Sequence, residues 1–115
     1  MKIVFYGEKR KPVLDFIEKL PIEEQARILG CLKNIEELGF DCPRVMFRQI
    51  KGKLWEIKIQ TVNSGYRIFY VTIMKNIMVL LHSYKKQSQK APLKEINVSE
   101  KRMIEVLNNE SFYIR

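Results

Sequence analysis

The sequence predicts an α+β fold: a helical hairpin packed on a twisted, mainly antiparallel sheet, with a C-terminal helix. Three observations carry that expectation. The hydrophobic period is helical from Pro12 to Leu38, alternates as strands from Val45 to Leu81, and turns helical again near residue 93. Short turn sequences separate the middle segments closely enough for a meander, and no linker, repeat or low-complexity tract interrupts the chain. Residues 1–115 therefore read as one domain.

Each element has its own signal. Residues 3–6 form a short β-type run stopped by Gly7. From Pro12, residues Val13, Phe16, Ile17 and Leu20 recur at the spacing that lines one helical face, until Pro21 closes the helix and opens the next. Ile22, Ala26, Leu29, Leu32, Ile35 and Leu38 keep the helical period up to Gly39, with Glu23 and Glu24 in the first turn where the helix dipole favours them. Beyond Pro43, Val45 to Ile50 reads as a strand and Lys51-Gly52-Lys53 as a turn. Leu54 to Thr61 alternates, with Trp55, Ile57 and Ile59 on one face and Glu56, Lys58 and Gln60 on the other. Asn63-Ser64-Gly65 and Lys75-Asn76 are turns around the strand Tyr66 to Ile73. The continuous apolar run Ile77 to Leu81 is expected of a strand buried on both sides. After Pro92, Leu93, Ile96, Met103, Val106 and Leu107 mark a weaker helix to about residue 109.

Composition excludes several classes. With 46% hydrophobic and 30% charged residues the chain is of ordinary globular type. At this length it buries roughly two-thirds of its unfolded surface, so neither a metal nor a disulfide is needed for stability. Cys31 and Cys42 with the single His82 fall short of a zinc ligand set, and a reduced, cytoplasmic setting follows. The N-terminal apolar run is too short for a signal peptide, and no stretch approaches the roughly 18 to 20 apolar residues of a membrane span. No Gly-rich phosphate loop, HExxH pair or carboxylate cluster suggests a cofactor. One histidine rules out a two-histidine ribonuclease, and His82 has no acid nearby in sequence to orient it for a triad.

The net charge of +8 is unevenly placed: residues 51–90 carry eight Lys/Arg against Glu56 alone, or +7. A local basic field points to a polyanion partner, with a solvated lysine-rich face as the plainer reading. Its candidate residues are Lys58, Arg67, Lys85, Lys86 and Lys90, interleaved with His82, Tyr66 and Tyr84. Such a set suits phosphodiester chemistry. RNA supplies its own 2′-hydroxyl nucleophile, so the protein must align it, balance phosphoryl charge and move two protons. Arginine forks fit the phosphate, and a lysine crowded by cations has a lowered pKa. Each residue also has a structural reading. Arg67 shares a face with Phe69, Val71 and Ile73 and is either a strand-edge arginine or a cation held for use; Lys58 is equally an ion-pair partner. His82 fits a core edge as well as proton transfer, Trp55 fits the core better than a stacking platform, and Lys85, Lys86 and Lys90 fit a solvated polar stretch.

Ordered strings add to this. Leu54-Trp55-Glu56-Ile57-Lys58-Ile59, Tyr66-Arg67-Ile68-Phe69-Tyr70, Leu80-Leu81-His82-Ser83-Tyr84-Lys85-Lys86, and Lys90-Ala91-Pro92 with Glu95-Ile96 together resemble the phage-derived, HigB-like branch of the RelE/ParE toxin superfamily. The likeness runs over nearly the whole chain. It departs from the family pattern at Ser83 and Tyr84, where glycine and phenylalanine are common, and at Ala91, where threonine is common.

The resemblance implies a RelE-like fold and a type II toxin, a ribosome-dependent, metal-independent endoribonuclease that cuts mRNA and stops translation. It implies a cognate antitoxin, a small helix-turn-helix DNA-binding protein through which alone the pair reaches operator DNA, and no membrane partner. By position it implies site residues at Arg67, Lys58, Lys85, Lys86 and Lys90; together with the local charge this gives an expected catalytic set of Lys58, Arg67, His82 and Lys86, with Arg67 and Lys86 on the scissile phosphate and Lys58 or His82 moving protons. Lys51, Lys53, Tyr84, Lys85 and Lys90 are the expected RNA contacts. Two other readings stay open: a non-catalytic nucleic-acid- or protein-binding module of the same fold, and a gyrase-directed ParE-like toxin.

Overall fold

The computed structural model describes residues 1–114. Strand β1 (Lys2–Phe5) leads to helices α1 (Pro12–Glu18) and α2 (Ile22–Leu38), and a 3-10 turn over Gly39–Asp41 follows. Strands β2 (Met46–Lys51), β3 (Leu54–Gln60), β4 (Gly65–Ile73) and β5 (Ile77–Lys85) come next, then α3 (Leu93–Leu107) and the short α4 (Glu110–Ile114). The sheet order is β1-β5-β4-β3-β2: an antiparallel meander of four strands, with β1 added parallel to β5. The expected α+β class is the one observed. Among the described residues no helix is long and apolar enough to cross a membrane.

Both faces of this sheet are covered, which is why β4 and β5 are apolar with little alternation. The hairpin α1–α2 packs Val13, Ile17, Ile28, Leu32 and Ile35 against Ile57, Ile59, Ile68 and Leu80. On the other side α3 and α4 bring Val106 and Tyr113 against Leu54, Phe69, Val71 and Leu81. Arg102, stacked over the Tyr6 ring, and the Tyr6 hydroxyl bonded to Glu105 tie α3 to the end of β1.

Three expectations need correction. The buried stripe of α2 is Glu24, Ile28, Leu32 and Ile35, rotated from the apolar series read in the sequence; Leu29 is 42% exposed and Ile22 more so. The rotation is driven by a polar group, because the Glu24 carboxylate accepts hydrogen bonds from the Thr61 and Tyr66 hydroxyls at 2.8 and 2.9 Å. That network pins α2 to the β3–β4 turn and puts Tyr66 on the hairpin face, away from Arg67. The last strand runs four residues beyond Leu81, so His82 to Lys85 belong to the sheet. The first strand is Lys2–Phe5, one residue earlier than the run read at 3–6, because Lys2 pairs in register with Ile77.

Ile28→Ala should destabilise the protein by about 2 to 5 kcal/mol, as core truncations do. Leu29→Ala should stay within about 0.5 kcal/mol. Urea unfolding midpoints of the two variants check the rotated face.

Candidate functional site

Strand register builds the site. Because β2, β3 and β4 are antiparallel about the Gly52 and Ser64 turns, Met46, Lys58 and Arg67 lie in one row, and Arg48, Glu56 and Phe69 in the next. Tyr84 stands opposite Arg67, and His82 opposite Phe69. These side chains share the face that also carries α3. They do so because of a β-bulge: the pairing slips between Phe69 and Tyr70, leaving Leu81 as an extra residue on β5. Without it, alternation would send His82 and Tyr84 to the hairpin side.

The centre of the cluster is Glu56, whose side chain is fully buried. Its Oε1 lies 2.8 Å from Arg48 Nη2 and 3.9 Å from Arg67 Nε. These are ion pairs by distance without hydrogen-bond angles, and neither carboxylate oxygen has a hydrogen-bond donor. Arg67 is only 6% exposed and donates Nη1–H to the Tyr66 carbonyl at 3.2 Å. Lys58, directly across from Arg67, is partly exposed. Its pKa is lowered by partial burial and by the fields of Arg48 and Arg67, with Lys86 adding to them and Glu56 opposing. Lys86 lies just past β5, where its N–H donates to the Gly65 carbonyl at 2.8 Å. Its stem passes over Gly65, where a Cβ would come within 3.3 Å of it. Tyr84 stacks on Phe69 at 5.7 Å, and burial and the Glu56 charge push its phenol up.

His82 is held differently. Its Nε2 lies 2.7 Å from Glu95 Oε1 and its Nδ1 3.3 Å from Arg102 Nη1. A carboxylate accepts and a guanidinium donates, so the partners select the neutral ring with its proton on Nε2. The ring stacks on Phe69, and burial lowers its pKa despite Glu95. The orienting acid that seemed missing from the sequence is therefore present, thirteen residues on and in the first turn of α3. Both ring nitrogens serve a latch between β5 and α3.

Other expected residues lie elsewhere. Lys85 pairs in register with Tyr66 and is exposed. Lys90 is exposed in the loop before α3. Lys51 and Lys53 occupy the β2–β3 turn at the opposite end of β3, where Lys51 meets Glu100 at 3.3 Å. Sequence reasoning missed Arg48 altogether. Counting equal steps outward from Gly52 pairs it with Glu56 and would have found it.

This arrangement presents a fixed guanidinium, a lysine with a lowered pKa and further cations around one buried anion. It suits an oxyanion or phosphodiester. Two predictions test its electrostatics. Glu56→Gln should cost about 3 kcal/mol in urea unfolding, as breaking a buried ion pair does, and should lower the Lys58 pKa further, read by NMR at Nζ. For His82, the folded pKa lies below the ordinary 6.5. The unfolded chain therefore binds the proton first: its contribution is complete above about pH 6.5 and is lost as pH falls through the lower folded value. The unfolding midpoint should drop between about pH 7 and pH 5, and His82→Gln should flatten that drop.

No curated protein matches the chain. A family model described as phage derived protein Gp49-like (DUF891) matches residues 15–104, from within α1 to within α3, and so spans every residue of the cluster. The chain thus belongs to the phage-derived Gp49-like family, a family of RelE-like toxin proteins.

Proposed function

We propose that this protein is the toxin of a type II toxin–antitoxin pair, of the HigB-like kind, and a metal-independent endoribonuclease acting on mRNA at the ribosome. The observation that carries the reading is the row formed by Lys58 and Arg67, face to face on neighbouring strands with Arg48 and Lys86 around them. In the proposed reaction the RNA 2′-oxygen attacks the adjacent phosphorus. The new bond closes a 2′,3′-cyclic phosphate while the bond to the 5′-oxygen breaks. Arg67, held by Glu56 and the Tyr66 carbonyl, and Lys86 balance charge on the phosphoryl oxygens. Lys58 is the proton-transfer group: its lowered pKa brings a neutral amine closer to working pH, and that amine takes the 2′-hydroxyl proton while the departing 5′-oxygen takes one from solvent water; His82 has both nitrogens engaged. Tyr84 offers a ring beside Arg67 for a base, and Lys85 and Lys90 lie on the path of the backbone beyond. The partner that restrains this activity is a cognate antitoxin of the small helix-turn-helix type, which brings the pair to operator DNA.

Inducing the protein in bacteria and mapping mRNA ends tests the proposal. Growth arrest with new cuts in codon register is expected. Lys58→Ala and Arg67→Ala should each lower cutting by on the order of a hundredfold or more, Lys58→Ala without loss of ribosome binding. Intact mRNA would overturn the reading, and intact mRNA with DNA-damage signalling would favour a gyrase-directed toxin. Loss of binding and of its salt dependence with no cutting at any stage would mark a binding module.

A further inference from the structure

The hairpin leaves part of its own side of the sheet uncovered. Between the 3-10 turn and β2–β4 lies a groove of about 630 Å³, lined by Phe40, Phe47, Lys53, Trp55, Tyr70 and Thr72. Its size is that of ligand-binding clefts. The rings of Phe40, Phe47 and Tyr70 meet edge to face or tilted at 5.2 to 6.4 Å, forming an aromatic wall. Tyr70 is 1% exposed, and its hydroxyl is buried without a hydrogen-bond partner. Native cores seldom keep such a group unless something uses it. Phe40, 50% exposed on a single 3-10 turn, packs against the Tyr70 ring at the edge of the groove.

The rim is positive. Lys53 sits on the groove, and Lys75 lies in the β4–β5 turn at the same end of the sheet; Lys51, the last residue of β2, is turned to α3 instead. Lys51 meets Glu100, but among the described residues Lys53 and Lys75 have no ion-pair partner. Glu56, the only acid between residues 42 and 94, is buried on the other face.

We propose that this groove docks an acidic peptide segment of a protein partner. One aromatic or branched apolar side chain of the segment seats against Phe47 and Trp55, a polar atom of the guest meets the Tyr70 hydroxyl, and flanking carboxylates meet Lys53 and Lys75. Edge-to-face rings favour an apolar side chain over a nucleobase, which stacks on open ring faces. The cationic cluster suited to a phosphate backbone faces the other side of the sheet, and its Lys58 is five residues, or roughly 17 Å, from Lys53. The proposal is therefore independent of the nuclease reading.

Trp55 is the only tryptophan in the chain, so its fluorescence reports on the groove. The test pans a phage-displayed random peptide library on the full chain and titrates synthetic copies of the enriched peptides against Trp55 emission. The expected result is a consensus of an aromatic or branched apolar residue beside Asp or Glu, and a saturable emission shift. Lys53→Glu, on an exposed turn where folding is undisturbed, should weaken binding by about fivefold or more. Phe47→Ala should weaken it by about tenfold or more; if that variant does not fold, Lys53→Glu decides alone. Tyr70→Phe should melt no lower than the parent yet bind the peptides several-fold less tightly. The proposal fails if no acidic–apolar consensus emerges, if the peptides leave Trp55 emission unchanged, or if they bind Lys53→Glu as tightly. It fails equally if a single-stranded oligouridylate, rather than the peptides, shifts Trp55.

Discussion

An ionised carboxylate inside a sheet covered on both faces demands cations beside it, and Glu56 places that demand on three strands at once. The idealised cost of burying such an ion is large, and in folded proteins it is met by close opposite charge. Here Arg48 from β2 and Arg67 from β4 meet it from the two flanking strands. The consequence reaches beyond Glu56 itself. Holding Arg67 at the sheet surface in a nearly buried position fixes a guanidinium that would otherwise sample many rotamers, and fixed charge is what a developing oxyanion needs. Because neither Glu56 oxygen is hydrogen-bonded, the anion acts through its field, which partly offsets the cations that lower the Lys58 pKa.

The second constraint is the bulge at Leu81. In a strand of strict alternation, Ser83 and Lys85 would follow Leu81 on the α3 face, and His82 and Tyr84 would point to the hairpin. One extra residue reverses the parity, so that Leu80 stays with the hairpin core, Leu81 with the α3 core, and His82 and Tyr84 join Arg67. Two roles then separate along a single strand. His82 locks onto Glu95 and Arg102 and so positions α3, while Tyr84, two residues on, borders the cations.

The same two features explain what was legible beforehand. Strand alternation in Leu54–Gln60 and the helical spacing of Val13, Phe16, Ile17 and Leu20 are local signals, and local signals determined the elements and the α+β class. Lys58 and Arg67 were legible as candidates because alternation assigns them a face, and the turn through Val62 and Asn63 brings them opposite each other. Where the reading failed, the cause was a long-range polar contact. Glu24 turned α2 because two hydroxyls from the β3–β4 region await it, a fact that helical periodicity does not contain. The orienting acid of His82 lay across a loop and in another element. The bulge was invisible because Leu80 and Leu81 are both apolar and either parity satisfies them.

The charge of residues 51–90 shows why placement matters more than its sum. Read along the chain it is one basic block; in the fold it divides between two ends of the sheet. Lys51, Lys53 and Lys75 stand at the turns of one end, and Lys58, Arg67 and Lys86 near the other. At physiological salt, exposed charges are screened over about 8 Å, and the ends are roughly twice that distance apart. They therefore act as two local fields, each with its own surroundings. At one end the cations enclose a buried anion and a tyrosine ring, a setting for a phosphate beside a base. At the other they rim an aromatic groove, where negative charge has to arrive together with apolar surface. A single polyanion would meet only the first of these requirements, so in the fold the basic block is two separate sets of cations that happen to share a stretch of sequence.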